Sequence, residues 1–318
     1  MGFFIKDSTL LPIAEKHRAI SIEDRGFLFG DGAFETCQIF NGKIYNLHLH
    51  SARLSSAIAS LDINIKAFGS IDDIFLQADR LIKKNNQKNG LLKIIITRGI
   101  GSIGYSSTSN RPTVIITTNN QRIINNTSIS LAIDVEASKN NSLLLGDGSA
   151  FPYKSLNSAN YIKSKMIAEK LGTFENLIFA TVNNKTSSIF APSSIVGPSS
   201  IVGPVVAETS SANVFWFKNG KLFTPSDNAN IVLGTTRARI IELAQMNLVE
   251  NINLVLAQPE EIIDADEVFL TNASQMILAV SELRLFRNGI IIEKILLNNT
   301  QSKKLESTMQ KDRQNQCC

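Results

Sequence analysis

Three stretches of strand-like residues turn back on themselves at Asn-Gly pairs: Asn41-Gly42, Asn219-Gly220 and Asn288-Gly289. Val214-Phe215-Trp216-Phe217 precedes the second pair and Leu222-Phe223 follows it. Asn-Gly supplies the positive φ angles of a tight turn, so the pattern predicts three β-hairpins. Residues 91–97 and 112–118 are apolar runs of strand length and predict buried strands. Between these segments the apolar period lengthens. Ser70 followed by Asp73 has the spacing of a capping box, and Ile74, Ala78, Leu81 and Ile82 then form a helical stripe. Residues 158–171 put Ala159, Ile162, Met166 and Leu171 on one helical face, with Lys163, Lys165 and Lys170 opposite. Thr235-Thr236 opens a further helix carrying Ile240, Ile241 and Ala244.

Strands and helices in this alternation predict an α+β fold, with mixed and antiparallel sheets and flanking helices. The polar run 119–127 reads as a linker between a smaller N-terminal domain, 1–118, and a larger C-terminal one, 128–318. One segment breaks the pattern. Ser-Ser-Ile-Val-Gly-Pro occurs twice in tandem, from Ser193 and from Ser199. Removing residues 186–204 would join Asn183-Asn184-Lys185 to Val205-Val206-Ala207-Glu208 as strand, turn, strand. An insertion into a hairpin turn explains this, since added loop length costs little closure entropy. A long loop with chance similarity is the alternative.

With 318 residues, 43% hydrophobic and 19% charged, the chain can bury real cores, which excludes global disorder. The formal charge of +4 is small, and Lys83, Lys84 and Lys88 read as a solvated helix end, so no nucleic acid is expected as partner. Cys37, Cys317 and Cys318 make neither a disulfide framework nor a zinc spacing, so no metal is expected and a cytoplasmic location fits. Residues 1–11 read as an opening strand, not a signal peptide, and no apolar run is long enough for a membrane span.

The segments that can carry chemistry come in a set. Asp24-Arg25-Gly26 and Gly30-Asp31-Gly32-Ala33-Phe34-Glu35-Thr36 lead to His50-Ser51-Ala52-Arg53-Leu54. Thr97-Arg98-Gly99, Gly104-Tyr105-Ser106 and Lys154-Ser155-Leu156-Asn157 follow. Glu208-Thr209-Ser210-Ser211-Ala212-Asn213-Val214-Phe215, Gly234-Thr235-Thr236-Arg237 and Thr271-Asn272-Ala273-Ser274 close the set. In this order, over residues 24–280, they resemble the class IV aminotransferase family, the fold-type IV pyridoxal-phosphate enzymes. That family includes branched-chain and D-amino-acid aminotransferases and 4-amino-4-deoxychorismate lyase.

The resemblance implies a two-domain fold of the D-amino-acid aminotransferase type, with pyridoxal 5'-phosphate held as a Schiff base on Lys154. It places Glu208 beside the pyridine nitrogen, where a carboxylate favours the protonated ring. It gives the phosphate to Arg53 and to Gly234, Thr235 and Thr236, since free amides at a helix start bind anions. Asn272 and Ala273 complete the cofactor residues, and Phe34, Arg98 and Tyr105 are the candidate substrate contacts. His48 and His50 read as packing or hydrogen-bonding residues. A small-molecule substrate and a homodimer are implied.

Two reactions share this equipment. Leu91-Leu92-Lys93 before Thr97-Arg98-Gly99, the strand Asn213 to Lys218, and Asn272-Ala273 are similar to 4-amino-4-deoxychorismate lyase, which yields 4-aminobenzoate and pyruvate for folate biosynthesis. Ile103, where the lyase loop carries arginine, and Lys154-Ser155-Leu156-Asn157 suit an amino-acid aminotransferase of the D-amino-acid or branched-chain type. Tyr161 does not match the tyrosine that branched-chain enzymes carry after the lysine. A third reading is a family member impaired by the insertion before Glu208.

Overall fold

A computed structural model describes residues 2–6, 9–13, 20–101, 104–106, 111–119, 129–136, 144–145, 153–181 and 204–318. The chain divides into two compact units, and neither is one continuous segment. The first comprises Met1–Ile123, Tyr153–Ser158 and Lys311–Cys318; the second comprises Ile124–Pro152 and Ala159–Gln310. The sequence pattern had pointed to two contiguous domains. It missed both excursions, because no local signal marks a six-residue visit to the other unit. Except for Asn119, the linker expected at 119–127 lies outside the described residues.

The first unit holds a six-stranded antiparallel sheet in the order β2-β1-β6-β5-β3-β4. Its strands are β1 (Gly2–Lys6), β2 (Thr9–Ile13), β3 (Gly32–Phe40), β4 (Lys43–Ile44), β5 (Gly90–Thr97) and β6 (Thr113–Asn119). Helices α1 (Arg25–Phe29), α2 (Leu47–Ser60) and α3 (Ile71–Lys84) accompany it. Ser70 and Asp73 form the capping box at the start of α3, and Ile74, Ala78, Leu81 and Ile82 are buried as the stripe requires. They pack with Leu54, Ala57 and Ile58 of α2 and with Ala33, Cys37 and Ile39 of β3. Strand side chains alternate between faces, so Glu35 shares that buried face with Ala33 and Cys37.

The second unit is built on a ten-stranded mixed sheet. Its strands are β7 (Ile129–Asp134), β8 (Leu144–Leu145), β9 (Glu175–Thr181), β10 (Pro204–Thr209), β11 (Asn213–Lys218), β12 (Lys221–Pro225), β13 (Ile252–Val255), β14 (Glu267–Asn272), β15 (Met276–Arg287) and β16 (Ile290–Leu296). The path β10-β9-β7-β15-β14-β11 closes on itself, because β11 also pairs with β10 through Glu208 and Asn213. Trp216, Val214, Leu131, Val268 and Leu283 lie in its core. All three Asn-Gly pairs adopt positive φ, near 50° at the asparagine and 72–77° at the glycine, and connect β3–β4, β11–β12 and β15–β16.

The helices of this unit are α4 (Ala159–Lys170), α5 (Thr235–Gln245), α6 (Pro259–Ile263) and α7 (Thr300–Cys317), the last of which continues into the first unit. Helix α4 corrects the sequence pattern. Ile162 and Met166 are exposed, whereas Ser164 and Ala168 are fully buried against β9. Small residues let the helix backbone come close to the strand, and the Ser164 hydroxyl donates to the Asn176 carbonyl. Of the inserted repeat only Pro204 is described, as the first residue of β10. It pairs with Thr181, followed by Val205 with Ala180 and Val206 with Phe179. The register then shifts, so that Thr209 faces Leu177. A bulge of this kind bends a strand and re-aims its side chains. Here it falls next to Glu208.

Candidate active site

Lys154 reaches its place through backbone pairing. The segment Tyr153–Ser158 lies beside the start of β3: the Phe34 amide donates to the Lys154 carbonyl at 2.9 Å and the Leu156 amide to the Gly32 carbonyl at 3.0 Å. Gly32 permits this approach, since a Cβ there would lie 2.4 Å from the Ile96 carbonyl oxygen and 2.8 Å from Leu156 Cδ1. The Lys154 side chain is half-buried, with Nζ 5.3 Å from the centre of the Phe34 ring. Lys93 Nζ stands 5.0 Å from the same ring.

Arg53 is buried in the same unit and is held rigidly. Its Nε and Nη2 donate to the two oxygens of Glu35 at 2.7 and 2.8 Å, and His50 Nδ1 lies 2.7 Å from Glu35 Oε2. Burial works against the Glu35 charge, but the Arg53 cation and the hydrogen bonds from His50 and Arg53 outweigh it and hold the carboxyl down to about 2. Burial pushes the His50 ring below its ordinary value, against the pull of Glu35. His50 is therefore neutral near pH 7 and donates through Nδ1. Cys37 completes a buried group with Glu35 and His50 whose potential ligand atoms lie within 4.8 Å of one another. Burial and the Glu35 charge raise the Cys37 thiol, and the Glu35 oxygens already accept three donors, so the arrangement orients an arginine better than it would hold a metal.

In the second unit Glu208 is buried at 3% exposure, with donors from three segments on its oxygens. Tyr161 Oη donates to Oε1 at 2.8 Å, the Val232 amide to Oε1 at 3.1 Å, and Asn213 Nδ2 to Oε2 at 3.0 Å. Asn213 Nδ2 also donates to the Val232 carbonyl at 2.9 Å, which fixes the amide's orientation. The turn between Glu208 and Asn213 is clamped by a second buried carboxylate: Ser210 and Ser211 donate to the two oxygens of Glu175 at 2.5 and 2.6 Å. Lys165, expected on the open face of α4, instead lies 3.8 Å from Glu175.

Thr235 and Thr236 are buried at the start of α5, whose N-cap is Gly234 with no capping side chain. A Cβ on Gly234 would meet Asn213 Oδ1 at 2.0 Å, so only glycine fits beside Glu208's partner. The Asn272 side chain accepts from the Ser274 amide and hydroxyl and from the Gln275 amide, shaping the turn that presents Ala273.

Two candidate substrate residues prove to be occupied or exposed. Arg98 gives Nε to Asp31, Nη1 to the Asp62 carbonyl and Nη2 to the Leu61 carbonyl. That geometry braces the loop against Asp31 and the end of α2. Tyr105 is 90% exposed, with its ring against Phe29, and its segment is held by Arg25, which donates to the carbonyls of Gly104 and Ser106. Phe34 does lie at Lys154. Sequence reasoning missed Glu35, Glu175 and Tyr161. Only Glu35 carried a signal, as a carboxylate at an inward position of a strand.

The chain matches the family described as amino-transferase class IV over residues 32–283. It is 28% identical over 278 residues to the aminodeoxychorismate lyase of Bacillus subtilis, covering 85% of this chain and 83% of that protein. It is 25% identical over 271 residues to the D-alanine aminotransferase of Bacillus licheniformis, covering 83% of each. The crystal structure of 4-amino-4-deoxychorismate lyase from Pseudomonas aeruginosa superposes with a TM-score of 0.69 at 22% identity, covering 98% of this chain and 99% of that one, a likeness of fold. The described elements, mixed and antiparallel sheets with helices, agree with that fold. The chain belongs to the class IV aminotransferase family and is a pyridoxal-phosphate-dependent enzyme.

Proposed function

We propose that the enzyme is a 4-amino-4-deoxychorismate lyase, releasing 4-aminobenzoate and pyruvate, with Lys154 as its catalytic residue. The observation that carries the cofactor assignment is Glu208, a buried carboxylate oriented by Tyr161, the Val232 amide and Asn213. The residues fit the group. A planar cation, Arg53, is pre-oriented by Glu35, and the start of α5 offers amides beside a glycine that no larger residue could replace.

Bound pyridoxal phosphate supplies an electron sink for charge that develops on the substrate carbon. Lys154 would hold the cofactor through Nζ and would move the proton at the substrate α-carbon. Arg53 and the amides at Thr235 and Thr236 would hold its phosphate, and Glu208 would keep its ring nitrogen protonated. Phe34, beside Lys154, contributes an apolar wall that limits water at the amine.

The lyase reading rests on Ala273, a half-buried methyl in the turn where aminotransferases carry threonine, together with the lyase-like segments at 91–101 and 213–218. Lys154-Ser155-Leu156-Asn157 and the similarity to the Bacillus licheniformis enzyme support an amino-acid aminotransferase as the second reading. A paired assay decides. Formation of 4-aminobenzoate from aminodeoxychorismate supports the lyase. Amino transfer to pyruvate or 2-oxoglutarate without elimination replaces it with the aminotransferase. A homodimer is also proposed, supported by an apolar surface of the first unit in which Phe27, Leu28, Ile100 and Tyr105 are 49–90% exposed.

A further inference from the structure

We propose that Tyr161 is a positioning residue for Glu208: its hydroxyl fixes the carboxylate's orientation and charge, so that a proton stays on the ring nitrogen placed against it. The proposal rests on the cofactor assignment above and gives a role to a residue that the family motifs do not include.

The helix register carries the first part of the argument. Tyr161, Ser164 and Ala168 share one face of α4, and Ser164 and Ala168 are fully buried where that helix packs on β9. The exposed Ile162 and Met166 lie on another face. An apolar side chain could have covered the site as well as Tyr161, but only a hydroxyl reaches Glu208 Oε1, at 2.8 Å. Burial and the Glu208 charge raise the phenol, so it keeps its proton and can only donate.

The second part is the count of donors. Oε1 accepts from Tyr161 and from the Val232 amide, and Oε2 accepts from Asn213. Val232 donates from backbone, and Asn213 is fixed by its second bond to the Val232 carbonyl. Tyr161 donates from α4 and sets the carboxylate's rotation against that frame. Arg237 of α5, buried and bonded to the Pro225 carbonyl and Asp227, also acts on this carboxylate through its charge. Each donor weakens the carboxylate as a base. A weaker base would leave the proton on the bound ring, and a positive ring would lower the pH midpoint of the cofactor's visible band.

The test compares wild type, Tyr161→Phe, Tyr161→His and Glu208→Gln, each reconstituted with pyridoxal phosphate. Borohydride mapping of the adduct, the pH midpoint of the visible band, and kcat and KM are read for each. Tyr161→Phe should keep its adduct on Lys154, raise the band midpoint by about one unit, and lower kcat roughly tenfold with little change in KM. Tyr161→His returns a donor and should recover part of both effects. If Tyr161→Phe matches wild type in midpoint and kcat while Glu208→Gln is severely slowed, the role given to Tyr161 is wrong and the cofactor assignment stands. If the wild-type adduct maps away from Lys154, the cofactor assignment falls and this proposal with it. Should the phenylalanine variant not fold, 3-fluorotyrosine at position 161 replaces it. Its stronger donor should lower the midpoint, and an unmoved midpoint overturns the proposal.

Discussion

Arg53 and Glu35 are joined by two hydrogen bonds of 2.7 and 2.8 Å inside the core of the first unit, with His50 completing the carboxylate's partners. An ion pair at this depth is net stabilising only if both members are fully engaged. Arg53 is therefore pre-set before any ligand arrives, and the cost of ordering its side chain is met in folding.

Acid should unfold the protein through this pair. Glu35 is held at about 2 against an ordinary 4.5, so its contribution is complete above pH 4.5 and is lost as pH falls through 2. A depression of that size corresponds to roughly 3 kcal/mol. His50, held below 6.5, adds a loss of the same sign that begins as pH drops under 6.5, where the unfolded ring binds the proton first. Urea unfolding of wild type and Glu35→Gln across pH 2–7 checks this. The variant should lose most of the slope between 4.5 and 2 and keep the part near 6. Glu35→Ala, which strands a buried guanidinium, should cost about 3–5 kcal/mol at neutral pH.

Gly234→Ala should weaken cofactor binding far more than it weakens the fold. The added methyl would meet Asn213 Oδ1 at 2.0 Å and push apart the start of α5 and the partner of Glu208. Titration with pyridoxal phosphate and with unphosphorylated pyridoxal separates the causes. A loss confined to the phosphate ester points to the helix start. An equal loss for both points to the displaced Asn213.

Glu208→Gln should leave the cofactor attached to Lys154 while slowing turnover by about two orders of magnitude or more. A glutamine cannot hold the ring nitrogen's positive charge. Near-normal turnover with a normal visible spectrum would remove Glu208 from the mechanism.

Local chemistry was legible in the sequence, and long-range chemistry was not. The Asn-Gly turns and the Ser70–Asp73 box are decided within a few residues, so the pattern located them. The face of α4 was misread because hydrophobicity placed Ile162 and Met166 inside. Close packing on β9, the strand that follows the helix, instead selected the small Ser164 and Ala168, a choice that hydrophobic periodicity does not encode. Glu175 was invisible for the same reason. Nothing around it announces that Ser210 and Ser211, thirty-five and thirty-six positions away, bring their hydroxyls to it. The partners of Arg98 were not legible because a motif names a residue type and leaves its hydrogen-bond partners unspecified; here its nitrogens donate to Asp31 and to the carbonyls of Asp62 and Leu61.

Replacing both Ser210 and Ser211 by alanine should destabilise the protein by roughly 2–4 kcal/mol, because the buried Glu175 carboxylate loses two donors at once. The single variants should each cost less than half of that, since the remaining hydroxyl still shares the charge. Thermal unfolding of the three variants measures the coupling, and strict additivity would mean that the clamp does not act as a unit.

An assembly test follows from the exposed surface around α1. Phe27→Glu should shift sedimentation toward the monomer, because a charge on an apolar contact surface is costly to bury. An unchanged sedimentation coefficient would place the contact elsewhere.

The interleaving of the two units has a consequence for synthesis. Residues 1–119 leave the ribosome first and carry all six strands of their sheet, yet the piece bearing Lys154 and the piece 311–318 are translated later. At roughly 5–20 residues per second, the first unit waits on the order of ten seconds or more for its final eight residues. The edge of β3 that receives Tyr153–Ser158 waits less, a few seconds at that rate, and until then must stay unpaired or be shielded by other means. In that interval the nascent chain exposes the same strand edge that later holds Lys154.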